Sequence, residues 1–211
     1  MAILLKFPKD IVLEGEYIIM KPEVSEEEFW KLANEDSNYE LIDGVLIIHS
    51  PASEEHEDIF AHLTTILRFY LQEKKLGKIY GSRFVMRLSS KWNLEPDIMI
   101  ILPENYTRIS KTRLEGPADI VIEILSKATK ETDLTKKLPK YLEEGVQEVW
   151  ILDPEEKSIK IITKREEKSW NNPQSDEILT STVLKDLNLQ VKWIWERNKY
   201  PANEIIKNMM K

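Results

Sequence analysis

The stretch from Glu95 to Ser126 constrains this chain most. It reads E-P-D-I-M-I-I-L at 95–102, then a polar loop, then A-D-I-V-I-E-I-L-S at 118–126. Both ends are apolar runs rich in β-branched residues, the pattern of strands buried on both faces. Each run carries an acid: Asp97 opens the first and Glu123 sits near the end of the second. If the strands pair antiparallel, the start of one lies beside the end of the other, and the two acids meet at one end of a sheet. Side chains alternate faces along a strand, so Asp97, Met99 and Ile101 share a face, as do Val121, Glu123 and Leu125. Two ionised carboxylates in an apolar setting are costly without compensation. A divalent cation is one form of compensation, and a lysine making a structural ion pair is the other.

The rest of the chain supplies one domain's worth of structure around that stretch. At 211 residues it can bury a real core. It is 42% hydrophobic and 32% charged, a globular rather than a disordered composition. It has no cysteine, which excludes a disulfide framework and a thiolate zinc site and suits a reducing cytoplasm. The opening M-A-I-L-L-K-F-P is interrupted too soon by Lys6 and Pro8 to read as a signal peptide. No apolar run approaches the ~20 residues of a membrane span. The net charge of −7 argues against nucleic-acid binding by bulk electrostatics. Basic residues nevertheless cluster at Lys74, Lys75, Lys78, Arg83, Arg87 and Lys91, and again at Lys127, Lys130, Lys136, Lys137 and Lys140.

In order, residues 1–24 read as a strand-bearing lead-in with a turn at Gly15. Ser25-Glu26-Glu27-Glu28 before Phe29 is a capping-box pattern, so a helix is predicted from about Ser25 to Glu35, broken by Asn34–Asn38. Residues 39–48 read as a hairpin turning at Asp43-Gly44. Ser53 caps a second helix with Ile59, Leu63, Ile66, Leu67, Tyr70 and Leu71 on one face, stopped by Gly77. Strands are predicted over Ile79–Leu88, Glu95–Leu102 and Asp119–Leu125. Residues 131–144 are mostly helical, with Leu134, Leu138, Tyr141 and Leu142 on one face; Pro139 predicts a kink or a late start, and Gly145 the end. Val149–Leu152 and Ser158–Thr163 form a hairpin around Asp153-Pro154. The tail, 176–211, reads as a strand or two and a terminal helix. The fold class is α/β, an α+β arrangement of a mixed sheet flanked by helices. The boundaries are 1–24 as an extension, 25–195 as the domain and 196–211 as a tail.

The order Y-E-L-I-D-G, S-P-x-S-x-x-H, P-D, E-I-L-S and D-x-x-x-K-x-x-x-Y-x-x-x-G-V-x-E-x-W, over roughly residues 25–190, resembles the Uma family of restriction-endonuclease-like proteins, placed in the PD-(D/E)XK nuclease superfamily. The resemblance implies a restriction-endonuclease-like core whose acids bind Mg²⁺, with Mn²⁺ as a substitute, at the open edge of a central mixed sheet. Asp97 and Glu123 match the two motif acids and become the metal ligands. The superfamily lysine would fall at Leu125, so the pattern is broken there. The family's helix lysine matches Lys137, which helical spacing from Leu134 and Tyr141 turns inward. Glu40 matches the hairpin glutamate, and His56 the histidine at the start of the second helix. The implied function is metal-dependent endonuclease cleavage of phosphodiester bonds in DNA. Lys137 would act as electrostatic catalyst, Glu40 as a ligand or water-orienting group, and His56 as a ligand, proton shuttle or hydrogen-bond donor to one. His49 and His62 read as structural, and Tyr141 and Trp150 as core.

Leu125 and the acidic net charge favour a different class, a non-catalytic nucleic-acid-binding or assembly module that keeps the fold. Hydrolysis of other phosphoesters is a third. Superfamily nucleases that cut both strands often dimerise, and Val191, Trp193, Ile194 and Trp195 offer either a homodimer interface or a cover for the chain's own sheet edge. No helix-turn-helix or zinc finger is visible.

Overall fold

The computed structural model describes residues 16–33, 37–81 and 83–209. The lead-in before residue 16, with its turn at Gly15, and residues 34–36 lie outside them; the first helix, expected to reach about Glu35, already ends at Leu32, where Ala33 is extended. A short strand, Ile18–Lys21 (β1), precedes the helix Glu26–Leu32 (α1). Ser25 Oγ accepts from the Glu28 N–H, and the Glu28 carboxylate accepts from the Ser25 N–H. Two of the donors that a helix start leaves unpaired are thereby satisfied. Tyr39–Ile42 (β2) and Val45–His49 (β3) form the Asp-Gly hairpin. Asp43 and Gly44 both have positive φ, 50° and 77°, as a turn matching strand twist requires.

Ser53 caps the 21-residue helix Glu54–Lys74 (α2), which buries the apolar stripe from Ile59 to Leu71. Lys75, with φ 54°, closes this helix. Gly77 has another duty: a Cβ there would meet the Ile101 carbonyl oxygen at 2.7 Å. The segment 79–88 is two strands, not one. Lys78–Gly81 (β4) and Val85–Ser89 (β5) belong to different sheets, and Arg83, with φ 74°, stands in the break. Next come Trp92–Leu94 (β6), Ile98–Ile101 (β7), a 3₁₀ turn at Pro103–Arg108, Arg113–Glu115 (β8) and Ile120–Ile124 (β9).

A helical segment then runs from 130 to 144 in three parts: Lys130–Thr132 (α3), a π-helical turn at Asp133–Lys137, and Leu138–Glu144 (α4). Pro139 explains the wide turn. In a regular α-helix its ring would collide with the carbonyl four residues back. Here the Leu138 N–H instead reaches back five residues to the Asp133 carbonyl. Gly145, with φ 105°, ends the segment. Glu148–Asp153 (β10), Ser158–Ile162 (β11) and Glu167–Trp170 (β12) follow, then Val191–Trp195 (α5) and Ala202–Met209 (α6). The sequence read a strand or two in the tail, 176–211; residues 191–195 of it are helical. Only an isolated bridge between Ile178 and Gln190 is extended nearby.

Two mixed six-stranded sheets result, ordered β1-β3-β2-β6-β5-β8 and β12-β11-β10-β9-β7-β4. The pairs β9–β10 and β5–β8 are parallel, and the others are antiparallel. The α/β class thus holds, with two sheets where one central sheet was expected. In the second sheet, Ile98, Ile100, Ile120, Ile122 and Ile124 pack with α2. Its opposite face, Met99, Ile101, Val121 and Leu125, packs with Ile42, Ile47, Met86 and Leu94 of the first sheet and with Tyr141 of α4. Asp97 and Glu123 lie at the end of that face, where the two sheets and α4 meet. Val191, Trp193, Ile194 and Trp195 are buried in the chain's own core with α2. Among the described residues no helix is long and apolar enough to cross a membrane.

Candidate active site

Antiparallel pairing of β7 with β9 sets Ile98 opposite Ile122 and Met99 opposite Val121. One further step brings Asp97 to Glu123. The Asp97 N–H donates to Glu123 Oε2 at 3.3 Å, and the Ile124 N–H donates to Asp97 Oδ2 at 2.7 Å. The two acids are thus locked to each other's backbone at one sheet end. From the wide turn, Lys137 enters with 4% of its side chain exposed. Its Nζ lies 2.8 Å from Glu123 Oε1, 3.1 Å from Glu40 Oε1 and 3.1 Å from Asp133 Oδ1. Tyr141, one turn on, donates its hydroxyl to Glu123 Oε1 at 2.5 Å. From the start of α2, His56 Nε2 stands 3.2 Å from Asp97 Oδ1.

All five residues named from the sequence, Glu40, His56, Asp97, Glu123 and Lys137, line one cleft of about 110 Å³. That space admits several waters. Four more groups belong to the same arrangement. Glu95 lines the cleft and is 8% exposed, and its Oε2 is buried with no hydrogen-bond partner among the described residues. Asp133 is buried against Lys137. His49, which the sequence suggested to be structural, pairs its Nε2 with Glu40 Oε2 at 2.9 Å. Tyr141 is core, as expected, and also bonds the acid pair. The sequence reading did not name Glu95, whose one signal there is its place beside Pro96-Asp97. Asp133 was legible as the residue one turn before Lys137. His62 is structural: its Nε2 is 2.9 Å from the Trp193 carbonyl oxygen.

Acids outnumber bases here, and the electrostatics follow from that. Burial would raise the Glu40 carboxyl, but the Lys137 charge and the His49 hydrogen bond outweigh it and hold the group at about 2. Burial pushes Glu95 up to about 8, helped by the Glu40 charge. Burial also lifts Glu123 to about 8, with the charges of Asp133, Asp97 and Glu40 overcoming Lys137. Asp133 is raised by burial, against Lys137. Lys137 is held protonated, because three carboxylates outweigh the burial that opposes its charge. For His56 too burial opposes the charge, and the hydrogen bond and charge of Asp97 lift it to about 9. Among the described residues no three acids or histidines are already gathered into a metal cage.

The Uma2 family, described as "Putative restriction endonuclease", matches residues 26–192. A crystal structure from Anabaena variabilis, described as "a putative nuclease belonging to DUF820", superposes with a TM-score of 0.72 at 20% sequence identity, covering 82% of this chain and 98% of that one. At that identity the likeness establishes the fold alone. No curated protein matches the chain. The family match spans most of the 211 residues, and the chain belongs to the Uma2 family.

Proposed function

We propose that the protein is a metal-dependent endonuclease that hydrolyses phosphodiester bonds in DNA, with Asp97 and Glu123 as metal ligands and Lys137 as the electrostatic catalyst. The observation that carries this reading is the meeting of Asp97, Glu123 and Lys137 in a single cleft from three separate elements.

The residues present fit Mg²⁺ or Mn²⁺. The donors are carboxylate oxygens, which hard cations prefer, and Glu95, whose Oε2 is buried with no hydrogen-bond partner among the described residues, lines the same cleft. Mg²⁺ commonly takes one or two carboxylates and fills its other positions with water and substrate phosphate, so a three-ligand cage is not required. When bound, such a cation would supply Lewis acidity to a phosphoryl oxygen and acidify water beside it. The chain's own residues do the rest. Lys137 holds a fixed positive charge at the acid pair, where negative charge on a phosphoryl group would grow. Glu40 keeps that ammonium in place, with His49 behind it. His56 steadies Asp97 Oδ1, and Tyr141 steadies Glu123 Oε1. Fixed partners of this kind preserve ligand orientation.

A second reading, a non-catalytic nucleic-acid-binding or assembly module, is favoured by one observation. Glu123 is tied by Lys137, by Tyr141 and by the Asp97 N–H, as in a structural ion pair. One assay separates the two. Supercoiled and linear DNA are incubated with the purified protein and Mg²⁺ or Mn²⁺, wild type beside Asp97→Ala. Cleavage that disappears in the variant and with chelator supports the nuclease. Failure of the wild type to cut, with DNA binding retained, supports the module.

A further inference from the structure

We propose that Glu95 supplies a third carboxylate to the divalent cation held at Asp97 and Glu123, so that Glu95-Pro96-Asp97 closes on it from two sides. This rests on the reading that Asp97 and Glu123 bind a hard cation.

The backbone places the two acids for it. The residue before a proline favours an extended conformation, and residues two apart in an extended segment face the same way. Glu95 and Asp97 accordingly line the same cleft. The Glu95 N–H is anchored to Glu40 Oε1 at 2.8 Å, which fixes where its side chain starts. What distinguishes Glu95 from the other acids is its hydrogen bonding. Glu40 is engaged at both oxygens, by Lys137, His49 and the Glu95 N–H. Glu123 is engaged at both, by Lys137 and Tyr141 and by the Asp97 N–H. Asp133 is paired with Lys137. Glu95 Oε2 is buried and has no hydrogen bond among the described residues, although the side chain is only 8% exposed. Buried polar atoms are almost always partnered, and one that is not calls for an explanation, a bound ion among them. Turning this carboxylate toward Asp97 breaks no hydrogen bond at Oε2. Among the described residues the three acids are not already gathered into a cage, so Glu95 must turn toward Asp97 to complete one.

The test is calorimetric titration of the full chain with Mn²⁺, paired with the Mn²⁺-induced rise in melting temperature, for wild type, Asp97→Ala, Glu95→Gln and Glu95→Ala. Circular dichroism confirms that each variant is folded. If Glu95→Ala does not fold, the isosteric Glu95→Gln decides. The expected result is that Asp97→Ala loses Mn²⁺ binding and both Glu95 variants bind about tenfold or more weakly, the scale on which a lost ligand contact is felt. Wild-type affinity in both Glu95 variants, with binding lost in Asp97→Ala, would overturn the role of Glu95 and leave the cation site standing. No Mn²⁺ binding by wild type would remove the cation site itself, and this inference with it.

Discussion

Lys137 is buried against three carboxylates, which makes it the residue on which the site's electrostatics turn. Removing one member of a buried ion cluster leaves the others uncompensated, at a cost of roughly 3–5 kcal/mol. Lys137→Met should therefore lower stability by about that much in urea unfolding; a loss under about 1 kcal/mol, the scale of an exposed pair, would mean the acids are neutral without it. Tyr141→Phe keeps the ring in the core and removes only the bond to Glu123, so about 1–3 kcal/mol is expected. His56 gives a pH-dependent check in chelator. Its folded value, about 9, lies above the ordinary 6.5, so its contribution is complete below 6.5 and fades as pH rises through 9. The stability gap between wild type and His56→Gln should be widest below 6.5 and shrink toward 9, and a gap that grows over that range would contradict the pairing with Asp97. Asp97, Glu123 and Lys137 were readable from the sequence as residues that could meet, because each has a motif around it. Glu95 and His49 were not read as site residues, because burial and a missing or unexpected partner are properties of the folded surroundings.

Elements followed the same division. The Ser25 box and the Asp43-Gly44 turn depend on neighbours a few residues apart, and both stand in the structure; the antiparallel pairing that joins Asp97 to Glu123, which the sequence offered only as a condition, is the one that forms. The split of 79–88 into β4 and β5 was hidden, because both halves are apolar and only membership of different sheets separates them. The helix at Val191–Trp195 was hidden likewise: the sequence offered a strand or two somewhere in 176–211, and an apolar run this short carries no period that tells helix from strand. Pro139 was legible as a disturbance, but not as the wide turn that carries Asp133 and Lys137 inward. Pro139→Ala removes the ring that a regular helix cannot accept. The segment can then tighten, shifting α4 and Tyr141 in phase against Asp133. Helix content by circular dichroism should hold or rise, while metal-dependent cleavage should fall about tenfold or more, since small misplacements of site groups are costly. Unchanged cleavage would show that the turn merely tolerates the proline.

At the scale of the whole molecule, charge sets how a nucleic acid could approach. The chain carries −7, and its cleft gathers Glu40, Glu95, Asp97, Glu123 and Asp133 around Lys137 with two histidines at its walls. A phosphodiester is an anion and would be repelled by both the overall field and the cleft. Of the exposed lysines, Lys74, Lys75 and Lys78 stand at or just past the end of α2 away from His56, and Lys127 follows the cleft residue Ser126; each can attract a backbone only locally. On the proposed reading the missing positive charge is supplied by the cation, so DNA affinity itself, and not only cleavage, should depend on it. Ca²⁺ is a suitable probe because it prefers the same oxygen ligands as Mg²⁺ while tolerating looser geometry. Fluorescence anisotropy with a labelled duplex, at matched ionic strength, should give affinity at least about tenfold higher in Ca²⁺ than in chelator, a difference of about 1.4 kcal/mol. Matching the ionic strength matters because phosphate contacts weaken steeply with salt. The gap should close in Asp97→Ala. Equal affinity with and without the cation would place DNA on the lysine-bearing surface instead, and the acid cleft would then have no part in holding it.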